Sequence, residues 1–93
     1  MASRWRRRRM CVLVAEMPMP AALRRVDARG AIVETNARPA LGDRVSLSHP
    51  EAGTIDARVD AVTLDAVSLR FACSERSVAF ALAAIAADMS RPA

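Results

Sequence analysis

The run Ile55-Asp56-Ala57-Arg58-Val59-Asp60-Ala61 constrains the fold of this chain more than any other stretch. Ile55, Ala57, Val59 and Ala61 fall on one face, and Asp56, Arg58 and Asp60 on the other. A period of two fits a strand with one buried and one wet face, and it does not fit a helix. Weaker versions recur. Arg44 to Ser48 turns Val45 and Leu47 inward, and Val67, Leu69 and Phe71 alternate with Ser68 and Arg70. Met10 to Ala15, Ala22 to Ala28 and Ala31 to Thr35 complete a set of six short strands. Short strands at regular spacing with turn signals between them argue for an antiparallel barrel or sandwich. Pro18 and Pro20 predict a break after the first strand, since proline cannot donate to a ladder. Gly30 predicts a bulge or a close backbone approach. Asn36 to Asp43 reads as a loop, and His49-Pro50-Glu51-Ala52-Gly53 as a turn in which the lone histidine has no role.

The period changes after Cys73. Ser74 suits a helix N-cap, Glu75 suits the first turn, and an alanine-rich run follows. Val78, Leu82, Ile85 and Met89 recur as one helical stripe, which predicts an amphipathic helix laid over an open end or edge of the strands. The expected fold is therefore a mainly β, six-stranded antiparallel barrel with a C-terminal α-helix. Ninety-three residues allow one domain. The expected division is a flexible basic arm over 1–9 and the barrel with its helix over 10–90. Alanine inflates the apolar fraction, so the core is thin and aliphatic.

All basic residues are arginine, and five of them, Arg4, Arg6, Arg7, Arg8 and Arg9, crowd the first nine positions. The net charge is +4, and without that segment the chain is nearly neutral. The positive field is local and points to an anionic partner for the N-terminus. Cys11 and Cys73 are far apart and lack metal-ligand spacing, which predicts two reduced, buried thiols and a cytoplasmic protein. The apolar run after Arg9 stops at Glu16, short of a secretory h-region, and nothing approaches the length that spans a bilayer. No membrane role is expected. No nucleophile and base are paired, no metal ligands cluster and no glycine-rich loop cradles phosphate, so a binding module is expected rather than an enzyme, with no cofactor.

Three stretches together resemble the PilZ domain, a bacterial receptor family for cyclic di-GMP. Arg4-Trp5-Arg6-Arg7-Arg8, ahead of the first strand, is similar to the family's RxxxR pattern. Arg25-Val26-Asp27-Ala28-Arg29-Gly30-Ala31 stands at the place of its [D/N]xSxxG motif. Pro39 to Leu47 resembles its loop into the next strand, and Leu69-Arg70-Phe71 before a helix also fits. The resemblance covers essentially the whole chain through the order and spacing of its motifs. In the second motif only Gly30 matches: Arg25 replaces Asp or Asn, and Asp27 replaces Ser.

The resemblance implies a ligand site of Arg4, Arg8, Arg25, Asp27 and Gly30. Arginine suits cyclic di-GMP, since its planar fork bonds guanine O6 and N7, grips phosphate and stacks on purines. Arg25 offers no acceptor to guanine N1 and N2, a loss on the order of 1–3 kcal/mol. Asp27 is expected to compensate in part, or else to pair weakly with Arg25 on a shared strand face. The implied function is a small signalling module that binds cyclic di-GMP, with reduced affinity, and relays it to an unidentified protein partner. The alternative is a divergent domain that has lost the nucleotide and acts as a protein-interaction adaptor. A nucleic-acid binder using the arginine run is a third reading, disfavoured because the chain lacks an aromatic stacking platform.

Overall fold

The computed structural model describes residues 10–89. The proposed arm, with Arg4 and Arg8, lies outside the described residues. The elements are β1 (Met10–Val14), β2 (Pro18–Val26), β3 (Gly30–Thr35), β4 (Arg44–His49), β5 (Gly53–Val62), β6 (Ala66–Arg70) and α1 (Glu75–Met89). All neighbouring strands are antiparallel, and they close into a barrel in the order β1-β2-β3-β6-β5-β4. Closure leaves no edge strand among the described residues, so the six-stranded barrel and terminal helix expected from the sequence are both present.

Alternation fills the interior. Leu13, Val33, Leu47 and Val67, one each from β1, β3, β4 and β6, are fully buried, with Ile55, Ala57, Val59 and Leu69 around them. Phe80 of α1 meets Phe71 edge-on, with ring centroids 5.6 Å apart, and this contact ties the helix to the barrel. Ser74 caps the helix as expected. Its Oγ accepts from the amide of Arg76 at 3.2 Å, and Ser77 Oγ accepts in return from the amide of Ser74 at 3.0 Å. This is the reciprocal geometry of a capping box, with serine in the place of Glu or Gln.

Four expectations change. Pro18 and Pro20 lie inside β2 rather than breaking the chain before it. They pair with Val14 and Val12 of β1, whereas β3 first covers β2 at Ala21↔Thr35. The carbonyl of Pro20 accepts from Thr35 Oγ1 at 2.8 Å, so the backbone polar groups of Pro20 face the β3 side, beyond the end of that ladder. Missing N–H groups there cost no sheet bond.

The helix presents a different face from the one expected. Ser77, Phe80, Ala81 and Ala84 are buried, whereas Val78, Leu82, Ile85 and Met89 face outward. Small residues on the inner face let the helix sit close to the barrel, with Phe80 as the single large side chain driven inward. His49 is the buried last residue of β4, not an idle turn residue. Its Nδ1 accepts from the amides of Glu51 and Ala52 at 3.0 and 3.1 Å, and its ring stands edge-on to Phe80. Two backbone donors on Nδ1 fix the neutral tautomer that carries its proton on Nε2. Both cysteines are free, but only Cys11 is buried; Cys73 is exposed.

Candidate functional site

The β2–β3 hairpin carries the second motif. β2 ends at Val26, so Asp27 lies in the turn rather than on the strand beside Arg25. Asp27 Oδ1 accepts from the amides of Arg29 at 2.8 Å and Gly30 at 3.1 Å, and the Asp27 amide donates to the Gly30 carbonyl at 2.9 Å. The carboxylate folds the turn upon itself, as an Asx turn does. The weak pair expected between Arg25 and Asp27 is therefore replaced by a turn-closing role. The Phe71 amide then donates to the Arg29 carbonyl at 2.8 Å, which fastens the turn to the end of β6. Asp27→Ala removes the side-chain acceptor of two amides. We expect it to lower stability by about 1–2 kcal/mol, read as a shift in urea midpoint, with Asp27→Asn keeping most of the parent's stability because its amide oxygen still accepts.

Gly30 opens β3 directly against the backbone of β6. It pairs with Arg70, and an ideal Cβ built on it would stand 2.0 Å from the Leu69 carbonyl oxygen. The close approach predicted for Gly30 is what the backbone requires, and no bulge forms there. The bulges fall nearby instead, between Leu23 and Arg25 in β2 and between Val59 and Ala61 in β5. Each adds one residue and turns a charged side chain outward. In β2 the bulge leaves Arg24 and Arg25 both exposed between Leu23 and Val26, which pack on the core. Arg24 pairs with Glu34 at 2.8 Å. In β5 the bulged residue is Asp60, which pairs with Arg70 at 3.0 Å.

These features border an open cleft of about 600 Å³ on the outer wall of the barrel, within the size range of small-molecule sites. Arg25, Asp27, Arg29 and Gly30 line it from the hairpin, Ile32 from β3, Asp60 from β5, and Ser68 and Arg70 from β6. Three of the five site residues expected from the sequence, Arg25, Asp27 and Gly30, thus border one cavity, while Arg4 and Arg8 lie outside the described residues. Sequence reasoning alone does not assign Arg29, Asp60, Ser68 or Arg70 to the site. Arg29 sits inside the quoted motif and Arg70 inside Leu69-Arg70-Phe71, so a signal for these two cations exists in the sequence. Asp60 has no local signal, because only the β5 bulge and the β5–β6 pairing bring it to the cleft.

The electrostatics favour an anion, modestly. Arg25 and Arg29 have no ionic partner among the described residues, and the exposed Asp60 both orients Arg70 and offsets its charge. The apolar part of the lining, including Ile32, gives a surface on which a planar ring can lie. Among the described residues no three His, Cys, Asp or Glu side chains are grouped to hold a metal ion, and no helix is long and apolar enough to cross a membrane.

The register also fixes where the N-terminal segment joins. Met10, the first described residue, pairs with Ala22 on the strand that continues to Arg25. Ala22 and Arg25 are three residues apart, roughly 10 Å in extended chain. Comparison of the chain with protein-family models, curated proteins and solved structures finds no match in any of the three.

Proposed function

We propose that the chain is a small PilZ-like signalling module that binds cyclic di-GMP at the β2–β3 hairpin cleft and relays its presence to a protein partner. The observation that carries this reading is the convergence of Arg25, Arg29 and Arg70 on a cleft that opens beside the close backbone contact at Gly30. Cyclic di-GMP has two phosphodiester charges and two guanines. Guanidinium forks serve both, through paired bonds to phosphate oxygens or to guanine O6 and N7. The five arginines that precede Met10 in the sequence supply further positive charge. Arg8 is two residues from Met10, about 7 Å of extended chain, and Arg4 is six, about 20 Å. Ligand contact by these arginines would couple binding to a change of surface that a partner can read.

Isothermal titration calorimetry with cyclic di-GMP tests this reading. Saturable binding is expected, and Arg29→Ala is expected to weaken it roughly tenfold, the value of one charge-assisted contact of about 1.5 kcal/mol. No heat at millimolar nucleotide would reject it.

A second reading, an adaptor that has lost the nucleotide, has specific support. Arg25 supplies no acceptor where the family pattern has one, and Asp27 Oδ1 is already committed to two turn amides. Guanine N1 and N2 then lack an obvious partner at this hairpin. Capture of the same protein partner with and without cyclic di-GMP, combined with a flat titration, would favour the adaptor.

A further inference from the structure

The outward face of α1 carries Val78, Leu82, Ile85 and Met89, exposed by 45, 63, 40 and 77%. Four large apolar side chains in one row are more than a wet helix face ordinarily leaves bare. Their spacing is four, three, four, which is the alternating a/d pattern of a coiled-coil seam. The row is not needed by the barrel, because Ser77, Phe80, Ala81 and Ala84 already seat the helix on it.

We infer that this face binds the same face of a second copy of the chain, as an antiparallel helix pair about a twofold axis. The spacing four, three, four reads the same in both directions. A twofold axis passing between Ala83 and Ala84 sets Leu82 of one copy beside Ile85 of the other, and Val78 beside Met89. This self-complementarity is what an isologous contact requires. The charges permit it. Asp88 is the one charged residue between Val78 and Met89, and it lies on a flank of the row rather than within it. Ala79 and Ala86 flank the row on one side and allow the helices to approach closely. The helix is about 22 Å long, so its strip alone covers less than the roughly 800 Å² per partner of a standard interface. The dimer is therefore weak and dissociates on dilution. This inference is independent of the nucleotide reading.

Sedimentation velocity of the full chain from about 10 μM to about 1 mM tests it. The parent is expected to shift reversibly from monomer to dimer across that range. Leu82→Glu and Ile85→Glu, each made alone, should stay monomeric while keeping the parent's helical circular dichroism, since both positions face solvent in the monomer. Leu64→Glu, at a still more exposed leucine in the β5–β6 turn, should dimerise like the parent. A parent that stays monomeric throughout overturns the inference, and so does a Leu82→Glu or Ile85→Glu chain that still dimerises like the parent.

Discussion

Replacing Gly30 by valine is expected to lower the melting temperature more than any other single surface change in this chain. An ideal Cβ at Gly30 stands 2.0 Å from the Leu69 carbonyl oxygen, 3.1 Å from its carbon and 3.3 Å from Arg70 Cα. All three are backbone atoms, so no side chain can swing aside to make room. The β3–β6 ladder must open where it closes the barrel, and the turn bonds of Asp27 and the Arg29–Phe71 bond lie beside that point. Overpacking against backbone of this kind costs about 3 kcal/mol or more, which for a domain this small is roughly 12–24 °C. Gly30→Ala already adds the offending atom and should follow most of the way. Gly42→Ala and Gly53→Ala provide the contrast. Their φ values of +84° and +92° disfavour any side chain, but no atom lies within 4 Å of a new Cβ, so each should cost only about 1 kcal/mol. Thermal unfolding followed by circular dichroism reads all four. A Gly30→Ala chain that melts within 2–3 °C of the parent, roughly 0.5 kcal/mol, would show that the backbone at Leu69 yields readily and that β3 and β6 are not locked together at Gly30.

The second large effect concerns the ligand. Replacing Arg4, Arg6, Arg7, Arg8 and Arg9 together by alanine is expected to weaken cyclic di-GMP binding at least ~100-fold. The described lining of the cleft holds three guanidiniums against two carboxylates, one surplus positive charge facing a ligand with two negative ones. One carboxylate is tied to the turn and the other to Arg70, so neither leaves the site. If the proposed function holds, the remaining charge must come from elsewhere, and the arginines that precede Met10 are the candidates. Two lost charge-assisted contacts at about 1.5–3 kcal/mol each correspond to roughly two to four decades in affinity. The same titration at rising salt should show affinity falling for the parent and falling less for the replaced chain, because fewer charged contacts remain to be screened. Equal affinities for the two chains would remove the leader from the site and leave only the hairpin.

Much of the barrel is readable in the sequence because its signals are local. The alternation over Ile55 to Ala61 and over Val67 to Phe71 requires no partner to interpret, and Ser74 marks the helix start by chemistry that depends on nearby amides. The errors come where tertiary context decides. Pro18 and Pro20 read as a break because proline removes a donor, yet the donors they lack would have faced the unpaired side of β2. In α1 the large side chains suggest the inner face, but the barrel end accepts alanine and serine, so close approach outweighs side-chain size. His49 looks idle in a His-Pro turn: its bonds to the Glu51 and Ala52 amides are local, but its edge-on contact with Phe80 comes from far along the chain. The cleft is legible to the same degree. Arg25, Asp27 and Gly30 lie within six residues and fall in one motif. Asp60 and Ser68 join them only because the closed strand order puts β6 beside β3 and β5 beside β6, which no single segment records.

The nucleotide must sit in the hairpin cleft if the proposed function holds. The most direct measurement is a two-dimensional amide NMR titration of the full chain with cyclic di-GMP. The predicted result is saturable shifts centred on the amides of Arg25 to Ala31 and Ser68 to Phe71, with little change along β4. Shifts confined to another face of the barrel, or none at millimolar nucleotide, would contradict it.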